Sequence, residues 1–527
     1  MGTSTRGRTD DDTVGRLPVR DPASGEVVDT VPLLGVDEVA GLVAAARAAQ
    51  PDWAARSAAD RAAVVDRFRQ RLAQHRDLLV ERLQAETAKP WEDCNADVVL
   101  TLAWAEQFAR LAPGWLADEP VSGASVFSVG RRTTIQHEPI GVVGVIGPWN
   151  APLSLTIGDA IPALLAGNAA VVKPSELTPL GVSLAVAMWL ESGGPPDVLQ
   201  VATGDGSTGA ALVDHVDHVH FTGSTTTGRR IAVRAAERLI PCSLELGGKD
   251  AMVVLADADL DRAAAACVHN ALFNTGQICI SIERVYVEAA VHDVFVAKVV
   301  ARVRQLHQGV PDGPGSVDLS TFVDPRQLDT VRDHVADAVS RGARVVTGGR
   351  ITAGPAPFHQ PTVLIDVDHS MRCMTEETFG PTIPIMRVAD ADEAVRLAND
   401  SDHGLAASVC TGDLERGEEV ARRIEAGTVT VNDATFHLGD ARLPMHGWKQ
   451  SGLGGRNGRD GLLRYTRTRV VQAAHTTVGD TDPSWLPYDP RRSRLVGDAY
   501  ARVLDLPRLV PTPRRVLRTA RRLLGAD

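Results

Sequence analysis

The chain has 527 residues, and this length exceeds what one hydrophobic core usually serves, so two or more domains are predicted. A formal net charge of -11 argues against nucleic acid as a partner. No apolar run is long enough to span a bilayer, the polar start from Met1 to Asp12 lacks a secretory signal, and the six cysteines show no paired spacing. These features predict a cytoplasmic protein with reduced thiols.

The predicted secondary structure changes in character along the chain. Val39 to Gln84 is rich in Ala, Arg and Leu at helical spacing and predicts amphipathic helices. From Ile140, short β-branched runs alternate with helices such as Gly181 to Ser192, which predicts buried parallel strands and an α/β fold. The predicted strands are Gly141–Ile146, Ala170–Lys173, His218–Phe221, Ala251–Leu255, Arg284–Glu288, Ala343–Val346 and Gly427–Asn432.

The carboxyl-terminal segment differs in composition from the rest. Asp480 to Pro490 is rich in Pro and Asp and predicts a linker, and Pro513 to Ala526 predicts a basic amphipathic helix. The linker carries Trp485, Leu486 and Tyr488, whose tendency to be buried favours docking of this tail on protein. Peripheral contact with an anionic membrane surface is the less favoured alternative.

Three separated residues could together perform acyl chemistry. Cys279 ends the run Asn274 to Cys279, Glu245 precedes a Gly-Gly turn, and Asn150 follows Pro148 and Trp149 at the end of a predicted strand. A lone cysteine is more often an inert buried thiol, and a lone glutamate an exposed strand end. Together they offer a nucleophile, a base and an oxyanion donor.

In order and spacing these motifs resemble the aldehyde dehydrogenase family, from about Arg20 to Ala474. The resemblance implies that Cys279 attacks the aldehyde carbonyl and forms a thioester, with Asn150 and the Cys279 N–H at the oxyanion. It implies that Glu245 activates the water that hydrolyses the thioester. Family members that transfer the acyl group to coenzyme A generally lack this glutamate, so the expected product is a free acid.

The run from Phe221 to Gly228 follows a predicted strand and opens a helix, where glycine and a helix N-terminus suit a phosphate. It resembles the family's Gly-Ser-Thr-x-x-Gly turn, which implies that Gly223 and Ser224 face the cofactor pyrophosphate, with Trp149 nearby. Lys173 to Glu176 resembles the adenosine-ribose site.

A carboxylate at Glu176 can accept hydrogen bonds from both ribose hydroxyls and would repel a 2′-phosphate, so NAD is favoured over NADP as cofactor. The family tolerates exceptions at this position, and NADP stays open. Glu376 to Pro381 resembles the nicotinamide-ribose motif, which implies Glu377 on the ribose and Phe379 against it.

His215, His218 and His220 have a spacing that invites a zinc proposal. No matching ligand set follows, so we interpret them as a loop entering a strand with alternate residues facing solvent. No metal site is predicted.

The substrate is less constrained by sequence. Gln277 to Arg284 and the basic tail resemble actinobacterial succinate-semialdehyde dehydrogenase-like members, whose carboxylate substrate needs a cationic partner. Where better-known semialdehyde enzymes have an arginine, this chain has Gly158, followed by Asp159 where lysine is common. Arg442 and His446 are candidate substitutes. Without them an apolar or aromatic aldehyde is the alternative, and an inactive binding homologue is the non-enzyme alternative.

The resemblance implies two Rossmann-like parallel-sheet domains and a small β element for oligomerisation. The expected NAD(P)-binding domain comprises 19–127 and 138–247, and the catalytic domain 248–448. The oligomerisation element comprises 128–137 and 462–476, and 477–527 form a carboxyl-terminal extension with the basic helix. A homodimer or homotetramer acting on a small-molecule aldehyde follows from this resemblance.

Overall fold

The structure, a computed structural model, describes residues 15–121, 131–352, 357–434, 436–474 and 485–504. The described residues form two compact units, the first within residues 1–115 and 139–465 and the second within residues 116–138 and 466–527. The predictions for the polar start and for the helix from Pro513 to Ala526 lie outside the described residues. So do residues 128–130 and 475–476 of the predicted oligomerisation element and residues 480–484 of the predicted linker.

The strands are numbered in chain order. They are β1 (Arg16–Arg20), β2 (Val27–Pro32), β3 (Glu119–Val121), β4 (Arg131–Pro139), β5 (Val142–Ile146), β6 (Ala169–Lys173), β7 (Leu199–Val201), β8 (His218–Thr222), β9 (Cys242–Glu245), β10 (Asp250–Val254), β11 (Ile282–Glu288), β12 (Arg344–Thr347), β13 (Ile351–Thr352), β14 (Phe358–His359), β15 (Thr362–Ile365), β16 (Thr382–Val388), β17 (His403–Gly404), β18 (Ala406–Cys410), β19 (Thr428–Val431), β20 (Trp448–Lys449), β21 (Gly452–Leu453) and β22 (Thr466–Ala474).

The helices are numbered in the same way. They are α1 (Val36–Ala54), α2 (Ala58–Gln74), α3 (Arg76–Thr87), α4 (Trp91–Trp115), α5 (Asp159–Leu165), α6 (Leu180–Glu191), α7 (Gly206–His215), α8 (Thr225–Glu237), α9 (Leu260–Leu272), α10 (His292–Val303), α11 (Arg326–Ser340), α12 (Arg372–Thr375), α13 (Ala391–Asn399), α14 (Leu414–Ala421), α15 (Gly458–Leu463) and α16 (Pro490–Leu504). Among the described residues no helix is long and apolar enough to cross a membrane.

The first unit contains two large, mostly parallel sheets. A six-stranded sheet has the order β21-β9-β8-β5-β6-β7, in which only the edge pair of β21 with β9 is antiparallel. A seven-stranded sheet has the order β12-β15-β16-β11-β10-β18-β19, with an antiparallel edge at β12. The chain passes from the first sheet to the second between Glu245 and Asp250. The predicted α/β fold class is confirmed.

Helices cover both large sheets because their central strands are apolar throughout. Residues of β5, β6, β8 and β10 are all buried, as expected for parallel strands with covered faces. Side chains of α1 and α7 pack with β5, β6 and β8 in one apolar core. The second sheet is covered by α9 and α10 on one side and by α11, α13 and α14 on the other. The predicted strands and the helices before and between them are confirmed.

The burial of β8 on both faces shows that the interpretation of its histidines from sequence was wrong. His218 and His220 were expected to alternate with solvent-facing residues, but they are only 1% and 0% exposed within β8. Alternation does not hold here because β8 is an interior strand with covered faces on both sides. Both histidines therefore point into protein.

The second unit contains a three-stranded sheet of order β22-β4-β3 and the helix α16. Arg469 pairs with Glu138 at 3.1 Å, and Gln472 donates to Thr133 Oγ1 at 3.0 Å. The expected burial of the linker aromatics is not found in the single chain, because Trp485 is 62% exposed and Tyr488 72% exposed.

Candidate active site

A cleft of about 780 Å³ lies at the carboxyl ends of β5, β6, β8 and β9, which is where parallel sheets bind ligands. Its volume falls within the range of about 300–1,000 Å³ that is usual for small-molecule and cofactor sites. All ten catalytic and cofactor residues that the sequence predicted line it. They are Trp149, Asn150, Lys173, Glu176, Gly223, Ser224, Glu245, Cys279, Glu377 and Phe379.

The segment before Cys279 adopts an unusual backbone conformation. Asn274 and Thr275 have φ angles of 54° and 58°, in the left-handed region that β-branched residues such as threonine disfavour. Two contacts fix the turn: Asp93 accepts the Asn274 N–H at 3.1 Å, and Thr275 Oγ1 accepts the Ser320 N–H at 3.1 Å. Strain held in this way is typical of a segment that presents a functional side chain.

Asn150 is joined directly to this segment. Its Nδ2 donates to the Gln277 carbonyl at 2.9 Å, and its backbone carbonyl accepts hydrogen bonds from Lys89 Nζ at 2.7 Å and Asn274 Nδ2 at 3.1 Å. The residue is buried, and the bond from Nδ2 holds the side-chain amide beside the nucleophile segment. An amide N–H in this place can donate to an oxyanion that forms next to Cys279.

The thiol of Cys279 lies half-buried in apolar surroundings. It packs against a cluster that includes Ile280, Leu405 and Met445. Burial raises the pKa of the thiol to about 12; the Arg456 guanidinium opposes this rise, and the carboxylates of Asp250, Glu377 and Glu245 add to it. In this state the sulfur is protonated at neutral pH, so a thiolate requires a further change of charge near it.

Glu245 ends β9 and is 3% exposed. Among the described residues, neither of its carboxylate oxygens has a hydrogen-bond partner. Burial raises the pKa of this carboxyl to about 7, with Arg456 and Arg464 lowering it and Asp159 raising it further. A buried carboxyl that titrates near neutral pH suits a general base.

Two glycines bring the base, the nucleophile and the cofactor segment together. A Cβ atom at Gly248 would lie 2.2 Å from the carbonyl oxygen of Cys279, and a Cβ at Gly247 would lie 2.5 Å from Glu377 Oε2. At Gly248 the contact is with the backbone, which leaves no room for a side chain, and at Gly247 the Glu377 carboxylate would have to move. The Gly-Gly turn after Glu245 is therefore required by close approach of three parts of the site.

The predicted nicotinamide-ribose segment is held by a buried ion pair. Lys249 Nζ lies 2.6 Å from Glu283 Oε2, and Glu283 also accepts the N–H groups of Thr378 and Phe379, each at 2.7 Å. Glu377 accepts the Gly248 N–H at 3.0 Å, and burial, with Glu283 adding to it, raises the pKa of Glu377 to about 8. The ion pair thus ties this segment to β11.

The aromatic rings of Trp149 and Phe379 meet in the cleft. Their centroids lie 5.4 Å apart at an interplanar angle of 86°, an edge-to-face contact. Phe379 has a φ of 52°, which is uncommon for so bulky a residue. The two loops that these rings connect follow β5 and α12.

The other end of the cleft suits the phosphates and ribose of a dinucleotide. Ser224 is the N-cap of α8, where its hydroxyl accepts the Thr227 N–H at 3.3 Å, so a helix N-terminus opens onto the cleft. Lys173 Nζ lies 3.4 Å from Glu176 Oε2, and burial lowers the pKa of Lys173. A helix N-terminus with a lysine and a glutamate provides donors for phosphate and an acceptor for hydroxyls.

Neither predicted substrate residue is among the described residues that line the cleft. The Arg442 side chain is 64% exposed and pairs with Asp440 at 2.6 Å, while His446 Nδ1 lies 2.7 Å from the Gly454 carbonyl oxygen. Position 158 has no room for a side chain, because a Cβ at Gly158 would lie 2.8 Å from the ring of Trp104.

Sequence reasoning missed three arginines that line the cleft, Arg230, Arg234 and Arg326. The first two lie four residues apart on α8, so helical spacing after the Gly-Ser-Thr turn was the available signal. The sequence also indicated no role for Lys249, Glu283 or Arg456.

Several known proteins are similar to this chain over most of its length. The model of the aldehyde dehydrogenase family matches residues 9–471. A protein of Mycolicibacterium smegmatis, provisionally named as an NADP(+) succinate-semialdehyde dehydrogenase, is 42% identical over 88% of this chain and 90% of its own length. The 4,4'-diapolycopene aldehyde oxidase of a Methylomonas species is 39% identical over 80% of this chain and 78% of its own.

Among solved structures, an aldehyde dehydrogenase of Mycobacterium tuberculosis complexed with NAD+ superposes with a TM-score of 0.83 at 36% identity. The match covers 88% of this chain and 95% of that one.

Proposed function

The chain belongs to the aldehyde dehydrogenase family, and from that premise we propose that it oxidises an aldehyde to a carboxylic acid through a thioester on Cys279. The observation that carries the proposal is the convergence of Cys279, Asn150 and Glu245 on one cleft with the cofactor residues. A nucleophile, an oxyanion donor and a buried base are the three groups that this chemistry needs.

In the first step the Cys279 thiolate attacks the aldehyde carbon, and the carbonyl oxygen takes the negative charge. The Asn150 amide and the Cys279 backbone N–H donate to that oxygen. The hydrogen bond from Asn150 Nδ2 to the Gln277 carbonyl orients the side-chain amide, and the hydrogen bonds from Lys89 and Asn274 to the Asn150 backbone carbonyl hold the main chain at this residue. Donors fixed in advance stabilise the oxyanion without a reorganisation cost.

In the last step Glu245, as a carboxylate, takes a proton from water, and the hydroxyl attacks the thioester carbonyl. The carbon–sulfur bond breaks and the acid leaves, and the sulfur takes the proton from Glu245, which restores the Cys279 thiol and the Glu245 carboxylate. Support comes from the position of Glu245 beside Cys279 in the cleft and from the absence of hydrogen-bond partners on its oxygens among the described residues.

A nicotinamide dinucleotide, when bound, supplies the hydride acceptor for the oxidation. Gly223 and Ser224 would hold its pyrophosphate, with Trp149 nearby. Lys173 and Glu176 would hold the adenosine ribose, and Glu377 and Phe379 the nicotinamide ribose. We propose NAD as the preferred cofactor because the Glu176 carboxylate opposes a 2′-phosphate. The provisional name of the Mycolicibacterium relative keeps NADP as the alternative.

Two substrate classes are proposed. Succinate semialdehyde is supported by the provisional name of the 42% identical relative. An apolar or aromatic aldehyde is favoured by the apolar cluster around Cys279 and by the ion pair of Arg442 with Asp440, which lies away from the cleft.

For the second unit we propose that it joins subunits into a homodimer or homotetramer. Light scattering would measure the mass of the assembly.

The direct test follows formation of reduced nicotinamide with NAD and with NADP, on succinate semialdehyde, hexanal and benzaldehyde. Cys279→Ala should abolish turnover. Cys242→Ala, a half-buried cysteine at the start of β9, is the matched control and should retain it. Turnover that survives Cys279→Ala would overturn the thioester mechanism, and equal rates with both cofactors would overturn the NAD preference.

A further inference from the structure

Three charged or titratable side chains that the proposed chemistry does not use lie buried behind Glu245. Asp159 Oδ2 lies 3.0 Å from His220 Nε2 and 3.2 Å from Arg456 Nη2. The Asp159, His220 and Arg456 side chains are 5%, 0% and 5% exposed. We refer to these three residues as the buried triad. A cluster of this kind is costly to desolvate, so its place next to a catalytic group calls for a reason.

Strand register places the triad beside the base. Thr222 and Glu245 are partners in the parallel pair of β8 and β9, so their side chains lie next to each other on one face of the sheet. Arg456 Nη2 donates to Thr222 Oγ1 at 2.7 Å. The guanidinium therefore lies against the strand position adjacent to Glu245, while its Nε has no hydrogen-bond partner among the described residues.

The charge state of the triad follows from its contacts. Burial acts to raise the pKa of Asp159, but Arg456 and His220 outweigh it and hold that pKa below its usual value. Burial lowers the pKa of His220, with Asp159 only partly opposing it. At neutral pH the triad thus consists of a carboxylate, a neutral imidazole and a guanidinium.

Other groups surround the same space. Arg464, on the chain that follows α15, acts on Glu245 with the same sign as Arg456 and donates to Ser243 Oγ at 2.8 Å. His218 of β8 lies 3.3 Å from the same hydroxyl and packs on Tyr465. Arg456 and Arg464 therefore lower the pKa of Glu245, and Asp159 raises it.

We propose that the buried triad is a positioning device, in which Asp159 and His220 hold the Arg456 guanidinium beside Glu245 and so set the pH at which Glu245 acts as a base. The proposal rests on the role proposed above for Glu245 in hydrolysis. Arg456 favours the carboxylate form of Glu245, and Asp159 both restrains Arg456 and opposes it electrostatically. No residue of the triad is assigned contact with the reacting atoms.

If the buried triad served only to stabilise the fold, its variants would behave differently. Removing either partner would then lower stability, and activity would fall at every pH without a change in the midpoint of its pH profile. A device that sets the charge of Glu245 predicts midpoints that move in opposite directions. Loss of Arg456 moves the midpoint up. Asp159→Asn moves it down, because this change removes the negative charge that opposes the carboxylate form of Glu245 but keeps a side-chain oxygen that can accept a hydrogen bond from Arg456.

The test uses the full chain and 4-nitrophenyl acetate, an activated ester that can acetylate Cys279 without a cofactor. Acetylation releases nitrophenolate as a burst. The steady phase reports hydrolysis, in which the carbon–sulfur bond breaks, a carbon–oxygen bond forms and Glu245 receives the water proton. Rates are followed across pH at the wavelength where 4-nitrophenol and 4-nitrophenolate absorb equally. The proteins compared are the wild type, Arg456→Met, Asp159→Asn and Glu245→Gln.

The expected result is a steady phase whose midpoint lies about one pH unit higher in Arg456→Met and about one unit lower in Asp159→Asn. Arg456→Lys should restore most of the shift, since lysine keeps the charge. Arg61→Met is the matched control. Arg61 is another buried arginine of the first unit, bonded to the carbonyls of Leu165, Ala54 and Arg56, and its loss should lower stability without moving the midpoint.

The two proposals fail in different ways. A wild-type steady phase in Glu245→Gln would overturn the role of Glu245. A lost steady phase in Glu245→Gln, with unshifted midpoints in Arg456→Met and Asp159→Asn, would overturn the triad alone. If Arg456→Met does not fold, Arg456→Lys and Asp159→Asn still decide, because a midpoint in Asp159→Asn that is unchanged or higher contradicts the proposal.

Discussion

Gly248 lies so close to Cys279 that a Cβ atom at position 248 would come within 2.2 Å of the Cys279 carbonyl oxygen. We therefore expect Gly248→Ala to displace the nucleophile and to lower kcat/KM on the order of 100-fold, because misplacement by about 1 Å has that effect in enzyme sites. Gly41→Ala is the matched control, since nothing lies within 4 Å of a Cβ there and α1 favours alanine. Equal activity in both variants would refute the close-packing argument.

Glu245→Gln should separate the two halves of the reaction. A first turnover of reduced nicotinamide should remain, while steady turnover falls by about 100- to 10,000-fold because the base is absent. In the wild type the steady rate should rise with pH through about 7, where burial places the Glu245 pKa, since only the carboxylate can accept a proton. Stopped-flow traces measure both phases. A burst that vanishes together with the steady rate would contradict this division.

The buried Glu245 should also make stability depend on pH. Its pKa is raised from 4.5 to about 7 in the folded chain, so the folded state holds the proton more tightly than the unfolded state. Folding is then progressively penalised as pH rises from 4.5 to about 7, by on the order of 3 kcal/mol, and the penalty persists above that. The change in apparent Tm caused by Glu245→Gln should therefore be more positive at pH 8 than at pH 5, by a few degrees. An equal change at both pH values would argue against the raised pKa.

Alkylation with iodoacetamide tests the state of the Cys279 thiol. Burial raises its pKa to about 12, so labelling of the enzyme without cofactor should be slow at pH 7 and should rise steeply with pH. Cys279 should still react before the buried residues Cys94, Cys267, Cys373 and Cys410, because it is more accessible. Peptide mass analysis locates the adducts. Rapid labelling of Cys279 at pH 7 would show a lowered thiol pKa instead.

The pair of Lys249 and Glu283 should matter for stability and for cofactor binding. Lys249→Met leaves a buried carboxylate without its partner, which costs about 3–5 kcal/mol. The double variant Lys249→Met, Glu283→Gln should recover much of that loss, because the uncompensated charge is gone. Denaturant titrations measure the free energy of unfolding of both variants, and the KM for the cofactor reports its binding. A double variant less stable than Lys249→Met would contradict the interpretation.

Much of this site could be predicted from sequence because its parts are local. Glycines, a helix N-cap and polar residues at strand ends each leave a short pattern, and the ten predicted residues meet in one cleft. What could not be predicted depends on pairing between distant segments. Lys249 meets Glu283, and Arg456 meets Asp159, only through strand register and a long connection. His218 and His220 were misinterpreted for the same reason, since their burial depends on the neighbours of β8.

The strand that ends in Glu245 has its outer neighbour in a part of the chain about 200 residues later. Gly452 pairs with Glu245 and Leu453 with Leu244, and the Leu246 N–H donates to the Ser451 carbonyl. During synthesis on the ribosome, β9 therefore remains an open edge until the last stretch of the first unit has emerged. An unpaired edge is a template for aggregation, so nascent chains cut short before Gly452 should depend on chaperones more than the finished protein does.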